Sequence, residues 1–220
     1  EAGRDQDESP SLVSNLKGDS WLFSLRRKAY PDETEIISCF HFNGDAWEEQ
    51  PPVTANSGFY ETPCASCAEG GNPVVAWVEI RKDQQWNVYA SIYESKGFSN
   101  PVKVSSDQGK SCNPKILAVE DGTIWLAWEN YFKGKFSIYL SKYQNELWGN
   151  PVQVTHPDEC CFDPAIAYGK DGFLYMAYGI TDSVHQNIKM NIIDGNSFEV
   201  KKTIPLYIGG AWKNRVNLNT

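Results

Sequence analysis

Polar and apolar positions alternate along this chain in short runs that never settle into a helical period. Asn113–Trp128 reads NPKILAVEDGTIWLAW: a proline-headed run, an Asp-Gly pair, then an apolar run rich in aromatics. The same order returns in SPSLVSNLKGDSWLFSL at Ser9–Leu25, TPCASCAEGGNPVVAW at Thr62–Trp77 and DPAIAYGKDGFLYMAY at Asp163–Tyr178. Short apolar runs such as IWLAW and LYMAY, bounded by turns, predict strands covered on both faces. Asp121-Gly122 and Asp171-Gly172 offer the positive φ that a tight hairpin needs, and Asn43-Gly44 and Asp194-Gly195 offer it for a second hairpin. A helical reading would bury proline, glycine and β-branched residues inside helices, so the chain is expected to be all-β.

The repeat has a fixed beat. Pro10, Pro63, Pro114 and Pro164 are 53, 51 and 50 residues apart, and Ser24, Ala76, Ala127 and Ala177 keep the same step. Each copy is followed by a second alternating run: IISCFHF (Ile36–Phe42), NVYASIY (Asn87–Tyr93), FSIYLSKY (Phe136–Tyr143) and NIKMNII (Asn187–Ile193). A turn, one aromatic (Trp47, Phe98, Trp148, Phe198) and a short fourth run close each unit. Four antiparallel strands in every fifty residues or so describe a blade of a β-propeller, whose two apolar faces are buried only by neighbouring blades. The repeated Trp77, Trp125, Trp128, Tyr175 and Tyr178 then read as buried positions, and the four closing aromatics as plugs between blades.

Blades are expected at about 10–60, 61–111, 112–161 and 162–213, with 1–9 a flexible tail and 214–220 the first strand of a further blade. The residues outside the four units are too few for another blade. Three arrangements follow: a four-bladed ring, a piece of a longer propeller, or a ring completed by several chains. The piece of a longer propeller is favoured, with a homo-oligomeric ring second, because an open arc would leave an apolar blade face needing a partner.

With the blades placed, N/D-P-x-(I/L)-x(4)-D-G-x-(I/L)-(W/Y)-(L/M)-A-(W/Y), then an IY-S strand and W-x-x-P-V-x-V, resembles the blades of bacterial sialidase-like propellers. The resemblance runs from Pro10 to about Lys201 and implies architecture. The Asp-box of that family, S-x-D-x-G-x-T-W, is only echoed. Ser91 and Ser141 match its serine and Gly44 and Gly195 its glycine, but Phe42, Tyr93, Tyr143 and Ile193 occupy the aspartate position.

The formal charge of −8 argues against a nucleic-acid partner, whose phosphates would be repelled over most of the surface. No apolar run is long enough to span a bilayer, and the expected setting is secreted, periplasmic or cell-surface. Of the six cysteines, Cys64, Cys67, Cys112, Cys160 and Cys161 fall near the loops leading into the innermost strands, and Cys39 lies elsewhere. Free thiols, a disulfide between adjacent blades, and a metal site joining several of them with His156 are all compatible with the spacing. We expect no bound metal and no cofactor.

Candidate binding residues come from the loops between second and third strands, which vary while the scaffold repeats: Arg26–Glu35, Glu79–Trp86, Glu129–Lys135 and Gly179–Gln186. Trp86, Tyr131 and Phe132 could stack on a sugar. Glu79, Arg81, Glu129, Asn130, Asp182 and His185 could hydrogen-bond its hydroxyls. Alternatively Trp86 merely starts a strand and the charges form a solvated rim. A glycosidase would need two facing carboxylates, for which Glu79, Glu129 and Asp182 qualify by loop position. A sialidase would need converging arginines, and the chain has Arg4, Arg26, Arg27, Arg81 and Arg215. His41, His156 and His185 have no nucleophile at a recognisable spacing. The favoured reading is a glycan-binding propeller module. A protein-interaction or assembly module and a glycoside hydrolase stand as alternatives.

Overall fold

The computed structural model describes residues 5–28, 34–56, 58–68, 71–94, 97–181 and 186–206. They form four antiparallel sheets in chain order, and no helix among them is long and apolar enough to cross a membrane. The first sheet holds β1 (Gln6–Ser14), β2 (Ser20–Arg27), β3 (Glu35–Phe42) and β4 (Trp47–Gln50). The second holds β5 (Phe59–Cys67), β6 (Pro73–Ile80), β7 (Trp86–Glu94), β8 (Gly97–Phe98) and β9 (Val102–Lys103). The third holds β10 (Lys110–Ala118), β11 (Ile124–Phe132), β12 (Lys135–Gln144), β13 (Leu147–Trp148) and β14 (Val152–Gln153). The fourth holds β15 (Cys160–Tyr168), β16 (Phe173–Thr181), β17 (Gln186–Asp194) and β18 (Val200–Leu206). In the middle two sheets the outermost strand is split into two short pieces that both pair with the third strand. The fold is that of a β-propeller.

The first strands β1, β5, β10 and β15 stand side by side around the axis in chain order. Side chains tie them together: the Ala65 N–H donates to Ser11 Oγ at 3.0 Å, and the Ala118 N–H to Ser66 Oγ at 2.9 Å. The fully apolar runs are the second strands, one step away from the axis. VVAWV on β6 and IWLAW on β11 are buried on both faces because a sheet covers each side. On β2, at the end of the arc, burial is less complete: Leu22 is half-buried between Trp21 and Phe23, and Arg26 is half-buried between buried Leu25 and exposed Arg27.

Three cores lie between the four sheets. Trp21, Phe23, Ile37 and Trp77 join the first and second. Ala76, Val88, Leu126 and Trp128 join the second and third. Trp125, Ile138, Met176 and Tyr178 join the third and fourth. A buried tryptophan removes on the order of 200 Å² from water, roughly 5 kcal/mol of transfer free energy, so these cores carry the assembly. No such core joins the fourth sheet to the first among the described residues, and the sheets form an open arc.

The closing aromatics follow the same logic. Phe98 packs back on the first sheet, Trp148 on the second and Phe198 on the third. Among the described residues no sheet precedes that of Trp47. Trp47 lies against Phe42 on its own sheet and is 45% exposed, so it is not a plug.

Three further expectations change in detail. Gln6 to Ser9, expected in a tail, belong to β1: Gln6, Asp7 and Glu8 pair with Arg27, Arg26 and Leu25 of β2, and Ser9 sits at a register slip. Gly44, Gly122 and Gly172 take positive φ as their turns require, but Gly195 does not; there Phe198, φ 60°, ends a longer turn held by the Asp194 carboxylate. The outer face of the first sheet is polar where Asp7 joins Arg26 and Ser24 and Arg26 also pairs with Glu49, and apolar beside them at Leu22, Phe40 and Leu12, the last 63% exposed. The stretch 214–220, expected as a further first strand, lies outside the described residues.

Candidate functional site

Each first strand begins with the same irregularity. The register against the second strand slips between Glu8 and Ser11, Glu61 and Cys64, Cys112 and Lys115, and Phe162 and Ala165. The residues at the slip are Ser9, Thr62, Asn113 and Asp163, each before a proline, with φ of 53°, 46°, 49° and 49°. Proline lacks an N–H and is accommodated in a sheet at such a bulge. Asn and Asp tolerate the left-handed region, whereas a β-branched Thr62 is strained there. A bulge leaves one residue unpaired and re-aims its side chain, so four polar groups ring the same end of the axis.

At this end the third sheet departs from the repeat. The residue opposite Glu8, Glu61, Cys112 and Phe162 is Leu25, Val78, Glu129 and Gly179 in turn. Glu129 thus puts a carboxylate where the other sheets have leucine, valine or glycine. Directly after the bulge proline the same sheet departs again: the residue there is Ser11, Cys64, Lys115 and Ala165 in turn.

Glu129 is 7% exposed. Its Oε1 accepts Asn113 Nδ2 at 2.6 Å and the backbone N–H of Asp163 at 2.7 Å, and Cys112 Sγ donates to Oε2 at 3.8 Å. Asn113 Nδ2 also reaches Asp163 Oδ1 at 3.1 Å, while Lys115 Nζ donates to Asn113 Oδ1 at 2.7 Å. Lysine on one end of the amide and carboxylates on the other fix which way Asn113 points. Burial pushes the Glu129 carboxyl above its ordinary value, with the hydrogen bonds from Asn113 and Asp163 pulling the other way. Burial, then the charge of Glu129, pushes the Cys112 thiol up to about 12. Partial burial, then the charge of Glu35, raises Glu61.

Glu35 shows what such a carboxylate does when it only braces. It accepts the Tyr60 N–H at 2.9 Å and pairs with Arg27, itself paired with Glu8. Glu129 makes the equivalent inter-sheet bond to Asp163 without any direct cation.

The candidates drawn from the sequence fall in different places. Glu79 and Arg81 line the outer part of a groove between the first and second sheets and approach to 3.9 Å. Trp86 is half-buried in the core between the second and third sheets, with Lys110 Nζ 5.4 Å from its ring centroid. Asn130 is buried; it accepts from Ser111 Oγ at 3.1 Å and sits under Gly109, so it holds the loop before β10. Tyr131 is exposed with its ring 4.9 Å from that of Phe136, and Phe132 is exposed beneath Lys133. Asp182 and His185 lie outside the described residues. Among the described candidates Glu129 alone joins the axial cluster. Asn113, Lys115, Asp163 and Glu61 were not singled out, although comparing the four repeats column by column marks Lys115 as the exception.

All six cysteines are free thiols. Burial pushes Cys39 and Cys161 up to about 12 and Cys64 up to about 11. Among the described residues no group of three or more His, Cys, Asp and Glu side chains could hold a metal ion.

No protein-family model matches the chain, and no curated protein does. Solved structures do. An α-L-arabinanase of Penicillium chrysogenum, complexed with arabinobiose, matches with a TM-score of 0.64 at 13% identity over 92% of this chain and 67% of its own. An endo-arabinase of Bacteroides thetaiotaomicron matches with a TM-score of 0.59 at 14% identity over 90% of this chain and 80% of its own. A PL25 polysaccharide lyase, an ulvan lyase bound to a GlcA(1-4)Rha3S unit, matches with a TM-score of 0.67 at 11% identity over 90% of this chain and 56% of its own. At these identities the likeness is one of fold.

Proposed function

We propose that the axial mouth of this propeller binds carbohydrate through the third sheet, with Glu129, Asn113, Asp163 and Glu61 meeting sugar hydroxyls. The observation that carries this reading is the buried Glu129 carboxylate at a position the repeat fills with apolar residues or glycine. Structure does not require a carboxylate there, since three sheets do without one. A buried group with a raised pKa, tied to two polar residues at the bulges, is the kind of departure that function imposes. The similar arabinanase and ulvan lyase structures, solved with saccharides bound, support a sugar as the ligand class. The sialidase-like character of the blades adds architecture only. Arg26 faces the outer side of the first sheet and Arg27 is paired with Glu8 and Glu35, which disfavours an arginine cluster on a sialic acid carboxylate. A secreted, periplasmic or cell-surface setting is part of the same proposal.

A second reading, glycoside cleavage, is favoured by one observation. Glu129 and Asp163 share the Asn113 amide, and one of the two is held toward its protonated form by burial. A glycosidase needs a carboxylic acid to protonate the leaving oxygen and a second carboxylate across the bond. Glu129 would be the acid and Asp163 its partner.

An array of plant, algal and fungal polysaccharide fragments, read with the folded full chain, tests the binding reading. Retention of a glycan that Glu129→Gln weakens is the expected result; retention of none overturns it. Reducing ends released by the wild type, but not by Glu129→Gln, would select cleavage.

A further inference from the structure

Between the first and second sheets, at the mouth end, two cavities lie side by side. The inner one, about 290 Å³, is bounded by Glu8, Ser9, Arg27, Glu35, Glu61 and Thr62. The outer one, about 450 Å³, is bounded by Thr34, Asn56, Gly58, Glu79, Arg81 and Lys82. Phe59, Tyr60 and Ile80 line both, so the two make one groove running outward from the axis.

Phe59 stands at the waist of this groove and is 59% exposed. A single exposed apolar side chain is ordinary. Its place is not. Two residues before the Glu8, Glu61, Cys112 and Phe162 column, the other sheets carry Gln6, Lys110 and Cys160, so the repeat asks for no aromatic there. Its neighbour Tyr60 is a fixed floor: the hydroxyl donates to the Asn56 carbonyl at 2.8 Å and the N–H to Glu35 at 2.9 Å. Polar groups flank the ring on both sides. The 3.9 Å approach of Glu79 and Arg81 is too long for a hydrogen bond, which leaves both groups capacity for a ligand. On the inner side Arg27 is engaged with Glu8 and Glu35, and Glu61 remains as an acceptor.

We infer that this groove takes a neutral oligosaccharide of two or more units, laid radially outward from the axial mouth with the apolar face of one sugar on Phe59. An aromatic platform with carboxylate and guanidinium groups at its edge matches a pyranose or furanose ring, apolar on its faces and hydroxylated at its rim. The inner cavity sets three carboxylates against one guanidinium, so an anionic sugar is disfavoured there. The ligand of the mouth is therefore a chain, read over several units rather than at its end alone. This rests on the mouth being a carbohydrate site.

Calorimetric titration of the full chain with arabino-oligosaccharides and β-1,2-manno-oligosaccharides of one to four units tests it. The expected result is an affinity for one series that rises by about tenfold or more with length, a step Phe59→Ala flattens. The double variant Glu79→Gln/Arg81→Ala reduces affinity for the longest members first. All these side chains are partly or largely exposed, and an unchanged melting temperature confirms that the variants fold. Equal affinity for all lengths, or a length dependence that survives Phe59→Ala, overturns the groove while the mouth reading stands if Glu129→Gln still weakens binding. No binding of any member overturns the groove, and the mouth reading falls with it only if the polysaccharide array also retains nothing.

Discussion

The Glu129 carboxylate accepts the backbone N–H of Asp163 at 2.7 Å, across the boundary between the third and fourth sheets. One atom of a possible binding group thus also holds the next sheet's bulge in place. Substitution separates the two roles. Glu129→Gln keeps an oxygen for the Asp163 N–H and the shape of the side chain. Glu129→Leu matches Leu25 in the first sheet but leaves the Asp163 N–H without its acceptor and Asn113 Nδ2 with Asp163 alone. Leaving a buried donor unpaired costs about 1–3 kcal/mol. Denaturant unfolding is expected to show that loss for Glu129→Leu and much less for Glu129→Gln, while glycan binding falls in both.

The open arc makes equivalent aromatics unequal. Phe198 meets Trp125 edge-on, ring centroids 5.3 Å apart, inside the core between the third and fourth sheets. Trp47 rests on Phe42, and no other sheet covers it among the described residues. Phe198→Ala is expected to cost about 1–3 kcal/mol, and Trp47→Ala less than about 1 kcal/mol although it removes the larger ring. Equal losses by chemical denaturation would mean that the outer face of the first sheet is covered in solution.

The thiols give a third check. Cys39 and Cys161 are buried, and their raised pKa leaves almost no thiolate at neutral pH. Neither should react with a thiol reagent until the protein unfolds. With no disulfide present, reductant should leave the melting temperature unchanged; a drop of several degrees would reveal a bridge.

The sheets were legible because a strand covered on both faces writes itself as a short unbroken apolar run between turns, and the bulge prolines mark every repeat. Pro10, Pro63, Pro114 and Pro164 gave the beat, and the strands follow it. The site was harder to read for the same reason. Asn113 and Asp163 head their repeats, so they pass as punctuation; only the fold shows their side chains meeting at the axis. Glu129 was chosen for lying at a loop, yet it matters because it is inside the sheet. Asn130, its neighbour, points the other way, as alternation requires, and braces a loop. Phe59 carries no periodic signal, since it is the first residue of its strand, and only the two cavities it separates give it meaning.

Two carboxylates should bend the pH dependence of stability in opposite directions. Burial raises the Glu129 pKa above its ordinary 4.5, so the folded state holds that proton more tightly than the unfolded chain. Its contribution is present below 4.5 and fades as pH rises through the raised value. For Asp7 burial would also raise the pKa, but the hydrogen bonds from Arg26, Ser24 and Ser38 and the charge of Arg26 outweigh it and leave it lowered from 3.8. Its contribution is present above 3.8 and is lost as pH falls through the lowered value. Melting temperatures followed from acid to neutral pH should therefore separate the variants. Against wild type, Glu129→Gln gains relative stability as pH rises above 4.5, whereas Asp7→Asn is weaker at neutral pH and converges on wild type in acid. A Glu129→Gln curve parallel to wild type across the whole range would mean that this carboxylate is solvated in the folded protein, and the argument for a tuned group at the mouth would fall with it.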